Sequence, residues 1–205
     1  MSGLTVLISG RGSNLRALVE AGLPVRTVIS NRRDAAGLAY ARSCGIDTAV
    51  VEHKAFASRA LFDEALAAAV DAAGPQAVVL AGFMRVLGAP FVARYAGRLI
   101  NIHPSLLPAF PGLDTHARAI AAGVKIHGAT VHFVTAALDH GPIILQAAVP
   151  VRAGDDEAAL AARVLVQEHR IYPLAARWLL EGLLSIEDGR TVLRGGAPQW
   201  TFESP

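Results

Sequence analysis

The sequence predicts an α/β protein: a single-domain, doubly wound, mostly parallel sheet with antiparallel strands at one margin. Three observations carry this reading. Short apolar runs alternate with helix-length stretches along the first hundred residues, the pattern of βαβ units. One of these runs, Ala77-Val78-Val79-Leu80-Ala81, shows no polar alternation, as expected of a strand covered on both faces. Two later apolar stretches, His127 to Thr135 and Pro142 to Val151, are joined by a short turn, which favours antiparallel pairing.

In order, Leu4 to Ser9 reads as a buried strand. Gly10-Arg11-Gly12-Ser13-Asn14 turns into a helix with Leu15, Leu18 and Val19 at helical spacing, where Ser13 can cap the start and Gly22 the end. Val25 to Ser30 is the next strand, followed by a helix around 35–43 and a strand at 48–51. A long helix from about Ser58 to Ala73 stops at Gly74-Pro75. After 77–81 a short helix around 90–95 leads to a strand ending at Asn101 and His103. Ser105 to Thr115 is a proline-rich loop, with a short helix at 116–122 beyond it. Asp155-Asp156-Glu157 places acids at the positive end of a long helix that Pro173 should kink or divide. Asp188-Gly189 signals a hairpin, and the tail from Gly195 is expected to be loosely held.

Composition narrows the function. A net charge of +2, with no Lys/Arg tract, argues against generic nucleic-acid binding. No apolar run approaches the ~20 residues that span a bilayer. The single cysteine, Cys44, permits no intrachain disulfide and suits a reducing compartment, so a cytoplasmic location is expected.

Several residues could carry chemistry. Asn101 and His103 should stand side by side at a strand's carboxyl end, where open α/β sheets gather ligands. The strand could equally just terminate in polar residues. The Gly10–Asn14 loop is either a phosphate site or an ordinary strand-to-helix turn. It lacks the third glycine of a dinucleotide fingerprint, since Leu15 stands there, and it lacks a P-loop lysine. Arg59 is a second phosphate candidate or a solvated arginine. Asp139 either shapes its turn or orients His103. His127 and His132 lie five apart on one expected strand and so should face opposite sides; no spacing suggests a metal site. Glu168 shares a helix face with Leu160 and Val164 and needs a partner, whether a substrate amine or an internal base.

The motifs occur together and in order: Ile8 to Leu15, Leu80 to Arg85, Asn101-Ile102-His103-Pro104-Ser105-Leu106-Leu107-Pro108, Gly128 to Val134, Asp139-His140-Gly141-Pro142, and Gln167 to Pro173. In this combination the chain resembles the folate-dependent phosphoribosylglycinamide formyltransferase family of purine synthesis, from about residue 3 to about 183. The resemblance implies transfer of a formyl group from 10-formyltetrahydrofolate, as co-substrate, to the amine of glycinamide ribonucleotide, without a metal. It assigns catalysis to Asn101, His103 and Asp139. It gives the ribonucleotide to Gly12, Ser13, Asn14, Arg59 and Glu168, and the folate to Met84, Arg85, Val86, Leu87 and Leu138. It implies a phosphate-binding half at about 1–100, a folate-binding and catalytic half at about 101–183, and a C-terminal hairpin and tail at 184–205. It also implies small-molecule partners, no nucleic acid or membrane, and a monomer or homodimer. Methionyl-tRNA formyltransferase and formyltetrahydrofolate deformylase look similar through the Asn-x-His stretch, but those families carry additional domains that this chain is expected to lack. A non-catalytic nucleotide-binding module is the remaining rival.

Overall fold

The computed structural model describes residues 3–202. The chain forms two compact units that divide after Asn101. The first is built from β1 (Leu4–Ile8), α1 (Ser13–Glu20), β2 (Val25–Ser30), α2 (Ala36–Ser43), β3 (Asp47–Val50), α3 (Arg59–Ala73), β4 (Ala77–Leu80), α4 (Ala89–Arg94) and the start of β5 (Leu99–His103). Its strands pair in the order β5-β4-β1-β2-β3, all parallel. Every residue of β1 and β4 is buried. Two covered faces explain why these strands read as continuous apolar runs. Leu15 and Leu18 of α1, Phe62, Leu66 and Val70 of α3, and Tyr95 close over this sheet's core. Burying one such side chain contributes roughly 1.5–3 kcal/mol.

The second unit holds α5 (Thr115–Ala121), β6 (Ile126–Phe133), β7 (Ile143–Pro150), α6 (Glu157–Leu180), β8 (Leu184–Glu187), β9 (Arg190–Leu193) and β10 (Trp200–Phe202). β6 and β7 are antiparallel, as their sequence proximity indicates. α6 packs on both of them. Its start is capped by Asp156, which accepts a hydrogen bond from Ala159 N at 2.7 Å. β8 and β9 form the expected hairpin, with Asp188 and Gly189 both at positive φ (48° and 74°). That pair of signs is what a two-residue primed turn requires.

Three expectations need correction. Ser13 does not cap α1: Gly12 occupies the cap in left-handed backbone (φ 77°), with no side-chain cap bond. Pro173 does not divide α6, which runs unbroken through it. Ile171, Tyr172, Pro173, Ala175 and Ala176 are all buried, so packing outweighs the one lost backbone bond. The tail beyond Gly195 is not loose through Phe202, because β10 pairs in parallel with β7. Where β6 pairs with β7, Val131 faces Leu145 and His132 faces Ile143, so Ile144 is the extra residue of a bulge on β7.

Candidate functional site

In the first unit, the carboxyl ends of β1, β2 and β4 open onto a cavity of about 500 Å³. The Gly10–Asn14 loop forms one wall, and Met84 and Arg85, beyond β4, form another. Gly12 is required here twice over. Its φ is left-handed, and an added Cβ would sit 2.9 Å from the Gly37 backbone, where α2 begins. Gly37 N in turn donates to Gly10 O at 3.1 Å. The loop is therefore clamped so that the N-terminus of α1 faces the cavity, a setting that favours an anion. Arg11 and Arg32 also line it.

Below the loop lies a polar network that sequence reading did not single out. Met84 N donates to Ser9 Oγ at 2.8 Å, and Ser9 Oγ donates to Asn31 Oδ1 at 2.6 Å. Asn31 then meets His53 Nδ1 at 3.1 Å. The rule that flagged Asn101 and His103, polar residues at a strand's carboxyl end, would also have flagged Ser9 and Asn31. Nothing in the sequence marks His53.

In the second unit the fold makes the pairing that no local signal could. Asp139 Oδ2 lies 3.5 Å from His103 Nδ1, and both side chains are 7% exposed. Asp139 sits in left-handed backbone (φ 54°), and Gly112 N donates to its Oδ2 at 2.8 Å. On the other edge of the ring, His103 Nε2 donates to Phe110 O at 3.0 Å. The imidazole is thus held between a carbonyl and a carboxylate, so its orientation is fixed and both nitrogens face acceptors. Asn101 precedes it by two residues on β5 and shares its face by strand alternation. Together these residues can donate to a developing oxyanion and move a proton.

Three more imidazoles surround this pair. His132 is buried; its Nδ1 donates to Phe133 O at 2.8 Å, and its Nε2 lies 4.0 Å from Asp139. His127 stands edge-on to Phe110 and to His116, with His116 Nδ1 3.2 Å from His127 Nε2. Burial lowers the pKa of both His127 and His132, and the charge of His103 adds to the effect in each.

Burial, then the neighbouring His116, brings His127 down to about 4. The fold holds its ring neutral, whereas the unfolded chain takes up the proton near pH ~6.5. The stabilisation is therefore complete above ~6.5 and is lost as pH falls toward 4. His127→Leu is expected to flatten this dependence. Between pH 7 and 4.5 the variant should lose about 2 kcal/mol less unfolding free energy than the unsubstituted protein, as measured by urea unfolding.

The remaining candidates fall as follows. Gly12, Ser13, Asn14, Met84 and Arg85 line the cavity; Arg59 begins α3 and is not among the lining residues. Val86 is exposed and Leu87 buried, while Leu138 is exposed in the turn before Asp139. Glu168 is buried on α6 with Leu160 and Val164, as its spacing indicates. Among the described residues, no helix is long and apolar enough to cross a membrane.

Against known proteins, a family described as formyl transferase matches residues 3–176. The chain is 51% identical over 198 residues to phosphoribosylglycinamide formyltransferase of Escherichia coli (strain K12), covering 94% of this chain and 93% of that protein. Glycinamide ribonucleotide transformylase 1 from Symbiobacterium toebii matches in structure with a TM-score of 0.91 at 50% identity, covering 95% and 94% of the two chains. The phosphoribosylglycinamide formyltransferase of Coxiella burnetii, solved in complex with CHES, gives 0.92 at 43% identity, covering 98% and 99%.

Proposed function

The chain belongs to the formyl transferase family, and from that membership we propose that it is a phosphoribosylglycinamide formyltransferase. In this reading it moves a formyl group from 10-formyltetrahydrofolate to the amine of glycinamide ribonucleotide. The products are formylglycinamide ribonucleotide and tetrahydrofolate, in purine biosynthesis. The observation that carries the reading is Asp139 Oδ2, 3.5 Å from His103 Nδ1, on an imidazole already oriented by Phe110 O. An exposed Cys44 is compatible with a cytoplasmic setting, where thiols stay reduced.

The chemistry follows from the side chains. Asn101 and His103 donate hydrogen bonds to the oxyanion that forms when the amine nitrogen attacks the formyl carbon. Asp139 holds His103 and assists transfer of the amine's proton to the departing folate nitrogen as the old C–N bond breaks. No side chain need be acylated, because aligning two bound substrates suffices. Gly12, Ser13 and Asn14 hold the phosphate, with Arg59 as a further contact. Glu168 holds the glycinamide portion. Met84, Arg85, Val86, Leu87 and Leu138 contact the folate. An isotopically labelled formyl donor tests direct transfer. The label should pass to the ribonucleotide amine with sequential kinetics and no formylated protein by mass spectrometry. A formylated protein that turns over would replace this route with a covalent one.

A further inference from the structure

The hydrogen-bond chain beneath the cavity has a fixed direction as far as Asn31, and it holds the His53 ring by its Nδ1 edge. Met84 N can only donate, so Ser9 Oγ accepts from it at 2.8 Å. The Ser9 hydroxyl hydrogen then goes to Asn31 Oδ1 at 2.6 Å. This fixes the amide of Asn31 with its nitrogen toward His53, and Asn31 Nδ2 donates to His53 Nδ1 at 3.1 Å. A neutral His53 that accepts at Nδ1 carries its hydrogen on Nε2. A charged His53 would turn its Nδ1 hydrogen to Asn31 O, 3.0 Å away, and would carry hydrogen on Nε2 as well. Both of these patterns leave Nε2 as a donor, whereas a neutral ring that carries its hydrogen on Nδ1 and donates it to Asn31 O leaves Nε2 as an acceptor; an anionic oxygen placed at Nε2 selects the first two. The ring is held edge-on by Phe62, with centroids 6.3 Å apart, and His53 lines the same cavity as Gly12, Ser13, Arg11 and Arg85.

We propose that His53 is a further binding residue of this cavity, donating its Nε2 hydrogen to an anionic oxygen of the bound ribonucleotide's phosphate. Ser9 and Asn31 are its positioning residues. The inference rests on the ribonucleotide reading above. It adds a contact from a third chain segment, after β3, to those from the glycine loop. The surroundings suit an anion: arginine side chains line the cavity and the positive end of α1 faces it.

The test compares His53→Ala, His53→Asn and His53→Gln. A glutamine amide nitrogen can reach the position of Nε2, whereas an asparagine can replace only Nδ1. His53→Ala and His53→Asn should raise KM for glycinamide ribonucleotide, and the inhibition constant of ribose 5-phosphate, by about ten- to a hundredfold. In both variants kcat should stay within about twofold, since the proposal places His53 on the phosphate and not on the reacting atoms. His53→Gln should recover most of the affinity. Unchanged KM in His53→Ala overturns the proposal. So does a His53→Gln variant as weak as alanine with an equally lowered Tm, because His53 would then be structural. If the unsubstituted protein gives no ribonucleotide-dependent turnover, it is the functional reading that fails. Calorimetric binding of ribose 5-phosphate to the protein and its variants then still decides the role of His53.

Discussion

Exchanging Asp139 for asparagine is expected to lower kcat by about 10²–10⁴, while KM for glycinamide ribonucleotide should change by less than about threefold. The two side chains have the same size, and an asparagine oxygen can still accept from Gly112 N, now 2.8 Å from Oδ2. The turn therefore survives. What disappears is the negative charge 3.5 Å from His103 Nδ1. Without it, the imidazolium keeps only the Phe110 carbonyl as a partner while His103 supports the oxyanion, and transfer of the amine's proton to the folate nitrogen loses the carboxylate that assists it. Ribonucleotide affinity is preserved because the phosphate is assigned to the glycine-loop cavity, whose lining does not include Asp139. Steady-state kinetics on a variant with unchanged Tm separates the two parameters. Undiminished kcat would remove Asp139 from the mechanism.

Gly141→Ala is expected to be the most damaging small substitution near the site. A Cβ at Gly141 would lie 1.6 Å from Phe133 O and 2.7 Å from Phe133 C. Both are backbone atoms of β6, and Phe133 N is itself bonded to Pro142 O at 2.9 Å, so no side chain can rotate away. Overpacking that only backbone movement relieves costs roughly 3 kcal/mol or more. For a chain of this size that is about 6–12 °C in Tm. The movement would also displace Asp139, two residues earlier, so activity should fall along with stability. Gly10→Ala is the contrast for stability: no atom lies within 4 Å of an added methyl there, and Tm should stay near that of the unsubstituted protein. Equal Tm for Gly141→Ala would mean that the β6–β7 connection is far more plastic than its packing indicates.

The individual side chains proposed for catalysis were more legible in the sequence than the partners the fold gives them. Asn101 and His103 were legible because polar residues interrupt an apolar strand at its carboxyl end, just before Pro104. The pairing of His103 with Asp139 was not, since 36 positions separate them and only the fold closes that loop. Phe110 and Gly112, which fix the two residues through backbone atoms, carry no side-chain signal at all. The cavity shows the same limit. Its glycine loop could be read, but Ser9, Asn31 and His53 come from three separate segments, and each alone is an ordinary polar residue. In the fold, local rules failed where packing opposed them. Buried neighbours carry α6 through Pro173, and Gly12 in left-handed backbone takes the cap position that Ser13 was expected to fill. A glycine-rich approach concealed the three-residue β10, which pairs with β7.

Tetrahydrofolate release from 10-formyltetrahydrofolate, followed by absorbance with and without glycinamide ribonucleotide, tests the central claim most directly. The account predicts release only when the ribonucleotide is present, matched mole for mole by formylated product. Release at the same rate without the ribonucleotide would contradict it, since water would then be the acceptor and the phosphate cavity would have no part in turnover.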